Sequence, residues 1–305
     1  MFFSDSHRPT FRCAKRTVQS DGSFVSKIPK ALMCMEEALV MHELEQERAQ
    51  EGFRKSFSGY RPTHTLEEWA AIVRQYSRRA VTFSADRLPA IMGIVAVWGN
   101  RLRWSLGSYR AGLWSERFLC DLLWRAARTV TPRAAHASFI APSWSWASRA
   151  HQVAYVHESD MFSKDTLARV LACDVTPASL EVPNGALKSA RLTIECVAQE
   201  VEVPNPEDDS ADSHWKELPT RDGTVEFHFD DSPRPPGIER MWLLSVAYVE
   251  PYNYPHPTGL GVIEVENDDG TYAKLYKRVG MFDYTTGKSM GDEGETIGML
   301  RFTIV

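Results

Sequence analysis

The side chains best suited to chemistry here are acid–base groups rather than metal ligands or activated nucleophiles. Tyr252-Asn253-Tyr254-Pro255-His256-Pro257 is a proline-stiffened aromatic stretch carrying an imidazole, and such a loop can shape a ligand site or cap a β-structure. His151 lies close to two tryptophans and several serines within residues 139–157, and Asp86 precedes an apolar run. Together, His151, His256, Tyr252 and Asp86 offer proton transfer and hydrogen bonding, which suffices for orienting and cyclising a reactive intermediate without a cofactor. They are candidates by residue type.

Other chemistries find no foothold in the sequence. There is no HExxH pair, and the nine histidines are dispersed. Along a strand His151 and His157 stand roughly 20 Å apart, too far to share an ion that needs each ligand within about 2 Å. His228, next to Asp230 and Asp231, could form a carboxylate-rich cluster, which a solvated strand end explains equally well. Ser143 and Ser145 lack the GxSxG elbow that exposes an activated hydroxyl. Gly259-Leu260-Gly261 lacks the third glycine and the following helix of a dinucleotide loop, and no Walker sequence occurs. We expect no cofactor and no metal. The five cysteines, Cys13, Cys34, Cys120, Cys173 and Cys196, are odd in number and scattered, which points to buried reduced thiols rather than a disulfide framework.

Composition narrows the partners. A chain of 305 residues with a net charge of −5 does not have the basic face that nucleic-acid binding requires. Arg74, Arg78, Arg79 and Arg87 fit the solvated face of a helix. The N-terminus lacks the pattern of a signal peptide. The most apolar run, 88–98, is shorter than the roughly 20 residues needed to span a bilayer and contains Pro89 and Gly93. We therefore expect a cytoplasmic protein with no membrane or nucleic-acid partner. Its nine tryptophans and ten tyrosines suit either a protein partner or a small apolar or aromatic metabolite.

The elements that must position these groups change character along the chain. Up to residue 138 the periodicity is helical. In 65–80, Thr65 and Glu68 form a capping box ahead of Leu66, Trp69, Val73 and Tyr76 on one face. A second helix is expected to start at Asp86 and run to Trp98, ending at Gly99-Asn100. A third is expected over 113–128, with Leu113, Trp114, Phe118, Leu122 and Leu123 inward, and 28–50 also reads as helical. After residue 138 a two-residue period takes over. Strand-like runs occupy 151–156, 167–175, 190–203, 224–229, 241–249, 259–265, 272–282 and 298–305, separated by turn residues, while acidic 203–214 reads as a loop. The predicted fold is α+β: a helical layer, 1–138, followed by an antiparallel β-rich sandwich or barrel, 139–305, packed together as one unit.

Ser143-Trp144-Ser145-Trp146 falls where helices give way to strands. Pro142 disfavours helix before it. In an extended chain Trp144 and Trp146 share a face and the serines take the other. Burying the two indoles removes about 400 Å² from water, on the order of 10 kcal/mol of gross transfer free energy. The segment therefore reads as a seam, with Trp114, Trp124, Pro142, Trp144 and Trp146 as architectural residues.

The order of several motifs resembles a known family. Trp69, Tyr76-Ser77 and Asp86-Arg87-Leu88-Pro89-Ala90 come first, then Tyr109-Arg110-Ala111-Gly112-Leu113-Trp114, Leu122-Leu123-Trp124 and Ala141-Pro142-Ser143-Trp144-Ser145-Trp146-Ala147. Arg278-Val279-Gly280-Met281-Phe282 and the final Thr303-Ile304-Val305 follow. This series is similar to the region downstream of the HET domain in fungal heterokaryon-incompatibility proteins, across nearly the whole chain. The motifs of the HET domain itself do not occur in the sequence. The resemblance implies a fungal protein, a truncated member in which helices precede a β-rich module, acting as a non-catalytic interaction or incompatibility module. The alternative is a cofactor-independent cyclase or pericyclase of fungal secondary metabolism.

Overall fold

A computed structural model describes residues 2–5, 8–11, 63–79, 81–127, 139–155, 166–204, 215–221, 223–231, 237–249, 256–267, 273–287 and 298–305. The helix expected over 28–50, most of the acidic loop, and Tyr252 lie outside them. A hairpin of β1 (Phe2–Asp5) and β2 (Arg8–Phe11) comes first. Helix α1 (Thr63–Ser77) begins just after Pro62, two residues ahead of the expected cap at Thr65, and buries Trp69 and Val73 as its periodicity requires.

The second expected helix is displaced. Asp86 closes a single 3-10 turn, Ser84–Asp86, and a second turn, Pro89–Ile91, opens on the proline. Pro89 has no N–H to donate into a helix arriving from Asp86, but its fixed φ suits a helical start. Helix α2 (Met92–Leu106) then runs through Gly99-Asn100 and stops before Gly107, whose φ of 72° is the left-handed stop that glycine favours.

The third expected helix does not form as one. Strands β3 (Tyr109–Arg110) and β4 (Leu113–Trp114) make a hairpin around Ala111-Gly112, both at positive φ, 50° and 106°. That turn matches the right-handed twist of a two-residue hairpin. A 3-10 turn (Ser115–Arg117), the one-turn helix α3 (Phe118–Asp121) and β5 (Trp124–Ala126) follow. β5 pairs with β6 (Val153–Tyr155). Leu113, Trp114, Phe118, Leu122 and Leu123 are all buried. Their inward character was legible, but tertiary pairing with β6 decided their conformation.

The remainder is strand: β7 (Ala168–Pro177), β8 (Leu187–Cys196), β9 (Ala198–Glu202), β10 (Trp215–Thr220), β11 (Gly223–Phe229), β12 (Arg240–Val249), β13 (His256–Val265), β14 (Leu275–Gly287) and β15 (Leu300–Ile304). β10 has no counterpart among the expected strands. Nine strands form one sheet in the order β7-β8-β15-β14-β13-β12-β9, with β11 beside the far half of β14 and β10 beside β11. All pairs are antiparallel except β14–β15, where Leu275 and Tyr276 face Thr303 and Ile304 in parallel, so the sheet is mixed. The protein is a β-rich fold.

Two buried clusters fill it. The larger joins Trp69, Trp98, Trp114, Trp124, Trp144 and Trp146 to Leu192, Ile194, Leu244, Leu260, Tyr276 and Phe302. The smaller holds Val201, Leu218, Val225, Phe227, Met241, Leu243, Val279 and Phe282. Alternation assigns Leu243 to one cluster and Leu244 to the other. A bulge at Val279, between the partners of Gly261 and Val262, changes the phase on β14, so that Tyr276 lies with the larger cluster and Phe282, six residues on, with the smaller.

Candidate functional site

The segment carrying the paired tryptophans is not extended. It turns at Ser143-Trp144 and enters a 3-10 helix, Trp146–Ser148, capped by Ser145, whose Oγ accepts from the Ala147 N–H at 3.1 Å. The two indoles therefore diverge into different contacts, correcting the shared face expected for them. Trp144 packs on Phe118, with ring centres 5.5 Å apart, and its carbonyl accepts from Trp124 Nε1 at 3.0 Å. Trp146 meets Tyr76 edge-on at 5.8 Å and donates from Nε1 to Gly112 O at 2.8 Å. Trp114, Trp124, Pro142, Trp144 and Trp146 are all buried.

The serines tie this segment to its surroundings. Ser145 Oγ donates to Ala111 O at 2.5 Å, anchoring the carbonyl of the one non-glycine residue at positive φ among the described residues. Ser143 Oγ donates to Val305 O and accepts from Arg278 N–H at 3.0 Å. Ser77 Oγ on α1 accepts from Val153 N–H at 3.0 Å. These hydroxyls serve backbone groups, and among the described residues no base activates them.

Beside the seam lies a buried ionic cluster. Arg278 is 0% exposed and grips Asp230 with two bonds, Nε to Oδ2 at 2.8 Å and Nη2 to Oδ1 at 3.1 Å. Its Nη1 donates to Leu122 O at 2.5 Å and its Nη2 to Trp124 O, and the guanidinium carbon lies 3.6 Å from the centre of the Trp124 ring. One arginine thus joins β14, the residue after β11, and the chain from the end of α3 into β5. Arg149 completes the group, with Nη1 on Asp231 at 2.5 Å and Nη2 3.7 Å from Asp230. Burial pulls the Arg278 guanidinium below its usual range, and Asp230 opposes that pull. A second buried pair, Arg117 Nε to Asp121 Oδ1 at 3.2 Å, receives the Trp114 N–H on Asp121 Oδ2 at 3.1 Å. Burial nevertheless holds the Asp121 carboxyl above its usual range, against the pull of Arg117.

The candidate acid–base residues are not assembled. Asp86 is exposed in its 3-10 turn. His256 opens β13 opposite Val249. His151 is partly buried; its carbonyl accepts from Arg87 Nη2 at 3.1 Å, and its ring Nε2 is buried without a partner among the described residues. Desolvation depresses the imidazole most, Arg149 and Arg87 add to that, and Asp230 and Asp231 oppose it, so the ring is neutral at pH 7. No hydrogen bond or ion pair among the described residues joins Asp86 to His151. Asp230 and Asp231, the carboxylates expected beside His228, are engaged by arginines, while His228 Nε2 lies 2.9 Å from Glu226 and 3.1 Å from Arg125 Nη1. Among the described residues no three His, Cys, Asp or Glu side chains gather to hold a metal ion, and no helix is long and apolar enough to cross a membrane. Burial raises the thiols of Cys120, Cys173 and Cys196, the last two to about 11 and about 12, which suppresses thiolate chemistry.

Sequence reasoning named Arg278 only within a resemblance motif, grouped Asp230 with His228, and passed over Arg149 and Asp121. A signal existed for the first. In Leu275-Tyr276-Lys277-Arg278-Val279, alternation puts Arg278 on the face of Tyr276, where a charge needs a partner. The chain matches no protein-family model, no curated protein and no solved structure.

Proposed function

We propose that this chain is a non-catalytic interaction module of the fungal heterokaryon-incompatibility type, working through a protein partner in the cytoplasm. One observation carries the reading: the polar groups of the resemblance motifs serve the chain's own backbone. Ser143 and Ser145 hold the carbonyls of Val305 and Ala111, and Arg278 holds those of Leu122 and Trp124. Groups engaged in this way position the helical segment on the β-rich half, leaving recognition to the surface. On this reading, deleting the coding region in the source fungus changes the outcome of confrontations between incompatible strains and leaves the metabolite profile intact. Loss of one secondary metabolite, with confrontations unchanged, overturns it.

His151 favours a second reading, a cofactor-independent cyclase or pericyclase of a secondary-metabolite gene cluster. A neutral, partly buried imidazole with an unoccupied ring nitrogen suits proton transfer to an apolar intermediate. That reading requires His151→Gln to abolish product formation while the protein stays folded.

A further inference from the structure

β7 ends the nine-stranded sheet, and among the described residues its outer side is covered only at the start. There Leu167 N–H donates to Val246 O at 3.0 Å and Thr166 bridges Ala247. From Arg169 to Thr176 no described residue hydrogen-bonds to that outer edge. A row of open N–H and C=O groups is a template for another strand. The two charges of β7, Arg169 and Asp174, have opposite signs, so a second β7 running antiparallel meets attraction.

The bulge in β7 selects one register. Leu171 is the extra residue between Val170, opposite Ile194, and Ala172, opposite Thr193. Arg169, Leu171, Ala172 and Asp174 are exposed, while Ala168, Val170, Cys173 and Val175 are more buried. A two-fold axis between Leu171 and Ala172 pairs Ala168 with Val175, Arg169 with Asp174, Val170 with Cys173, and Leu171 with Ala172. Every exposed residue then meets an exposed one and every buried-side residue another of its kind. A slip of one residue crosses the faces throughout. A bulge normally discourages strand addition; here it restricts addition to one alignment.

The charges of the sheet lead to the same register. Arg301 on β15 lies 3.6 Å from Glu195 on β8, and Glu195 lies 2.6 Å from Arg169 on β7. In the paired arrangement the next residue in this row is Asp174 of a second copy, which faces Arg191 in its own sheet. Signs alternate across all five positions, the arrangement that stabilises cross-strand neighbours. We propose that β7 is a self-association edge, pairing antiparallel with β7 of a second copy in the register that sets Arg169 against Asp174. The two sheets become continuous across a two-fold axis. This inference is independent of the incompatibility reading.

Sedimentation velocity of the full chain over about 1–100 μM tests it. The wild type is expected to shift with concentration from one chain mass to two. Arg169→Asp and Asp174→Arg each place like charges opposite one another twice per dimer and are expected to weaken dimerisation about tenfold or more. The double variant Arg169→Asp/Asp174→Arg restores opposite signs and is expected to recover most of the loss. Arg301→Asp disturbs the same row away from the edge and is expected to leave dimerisation unchanged. Independently of any variant, amide exchange in 169–175 slows as wild-type concentration rises. A wild type that stays at one chain mass at 100 μM overturns the proposal. So does a dimer indifferent to both single variants, or exchange in β7 that ignores concentration.

Discussion

The two buried clusters exclude water by different means. The larger contains the six tryptophans that are fully buried among the described residues, and charge adjoins it: Arg278 lies against Trp124 while holding Asp230, and Asp121 takes the Trp114 N–H. Large flat rings meet at angles there, and the polar groups between them satisfy backbone carbonyls that irregular segments leave open. The smaller cluster is aliphatic and phenyl, built mainly on paired strands whose backbones satisfy one another. Its fit comes from missing side chains: a Cβ on Gly261 or Gly280 would overlap the Phe227 ring. Irregular backbone needs polar anchors, whereas regular sheet needs only matched volume.

That contrast can be broken from either side. Arg278→Met leaves the Asp230 carboxylate buried with only the longer Arg149 contact, and is expected to cost about 3–5 kcal/mol in chemical denaturation. Adding Asp230→Leu removes the stranded charge and is expected to recover part of the loss. A single-variant cost under about 1 kcal/mol would show that packing alone holds the seam. In the smaller cluster, Gly261→Ala is expected to cost about 1–3 kcal/mol through overlap with the Phe227 ring. Phe227→Leu in the same molecule should relieve much of it, a recovery that a purely conformational role for Gly261 would not give.

The smallest effect concerns pH. Desolvation holds the His151 imidazole below its ordinary 6.5 in the folded protein. Between pH 6.5 and that depressed value the unfolded chain binds the proton more readily, so stability is full above pH 6.5 and falls as pH drops. Asp121, raised by burial, acts in the opposite sense, so the contribution of His151 is read as a difference. Wild type is expected to lose more thermal stability between pH 7 and 5 than His151→Gln. Parallel losses would remove His151 from the seam's acid response.

Much of this was legible residue by residue. The inward positions of α1 recur at helical spacing, and most strands of the sheet announce themselves by alternation between turn residues. The stretch from Asp86 to Arg128 was legible only as apolar. Leu113, Trp114, Phe118, Leu122 and Leu123 satisfy a helical period, yet they sit on a hairpin, a one-turn helix and strand approaches. Intrinsic propensity is worth only tenths of a kcal/mol per residue. Here the Ala111-Gly112 turn and the pairing of β5 with β6 outweigh it.

By itself the sequence determined which side chains leave water, because burial follows from hydrophobicity and period alone. Tertiary structure alone decided the partners: that Trp144 and Trp146 diverge, that β15 runs parallel to β14, and that Arg278 reaches Asp230, Leu122 and Trp124. Such pairings join residues as many as 156 positions apart. Their energies depend on distance and desolvation in the folded chain, quantities that local sequence does not encode.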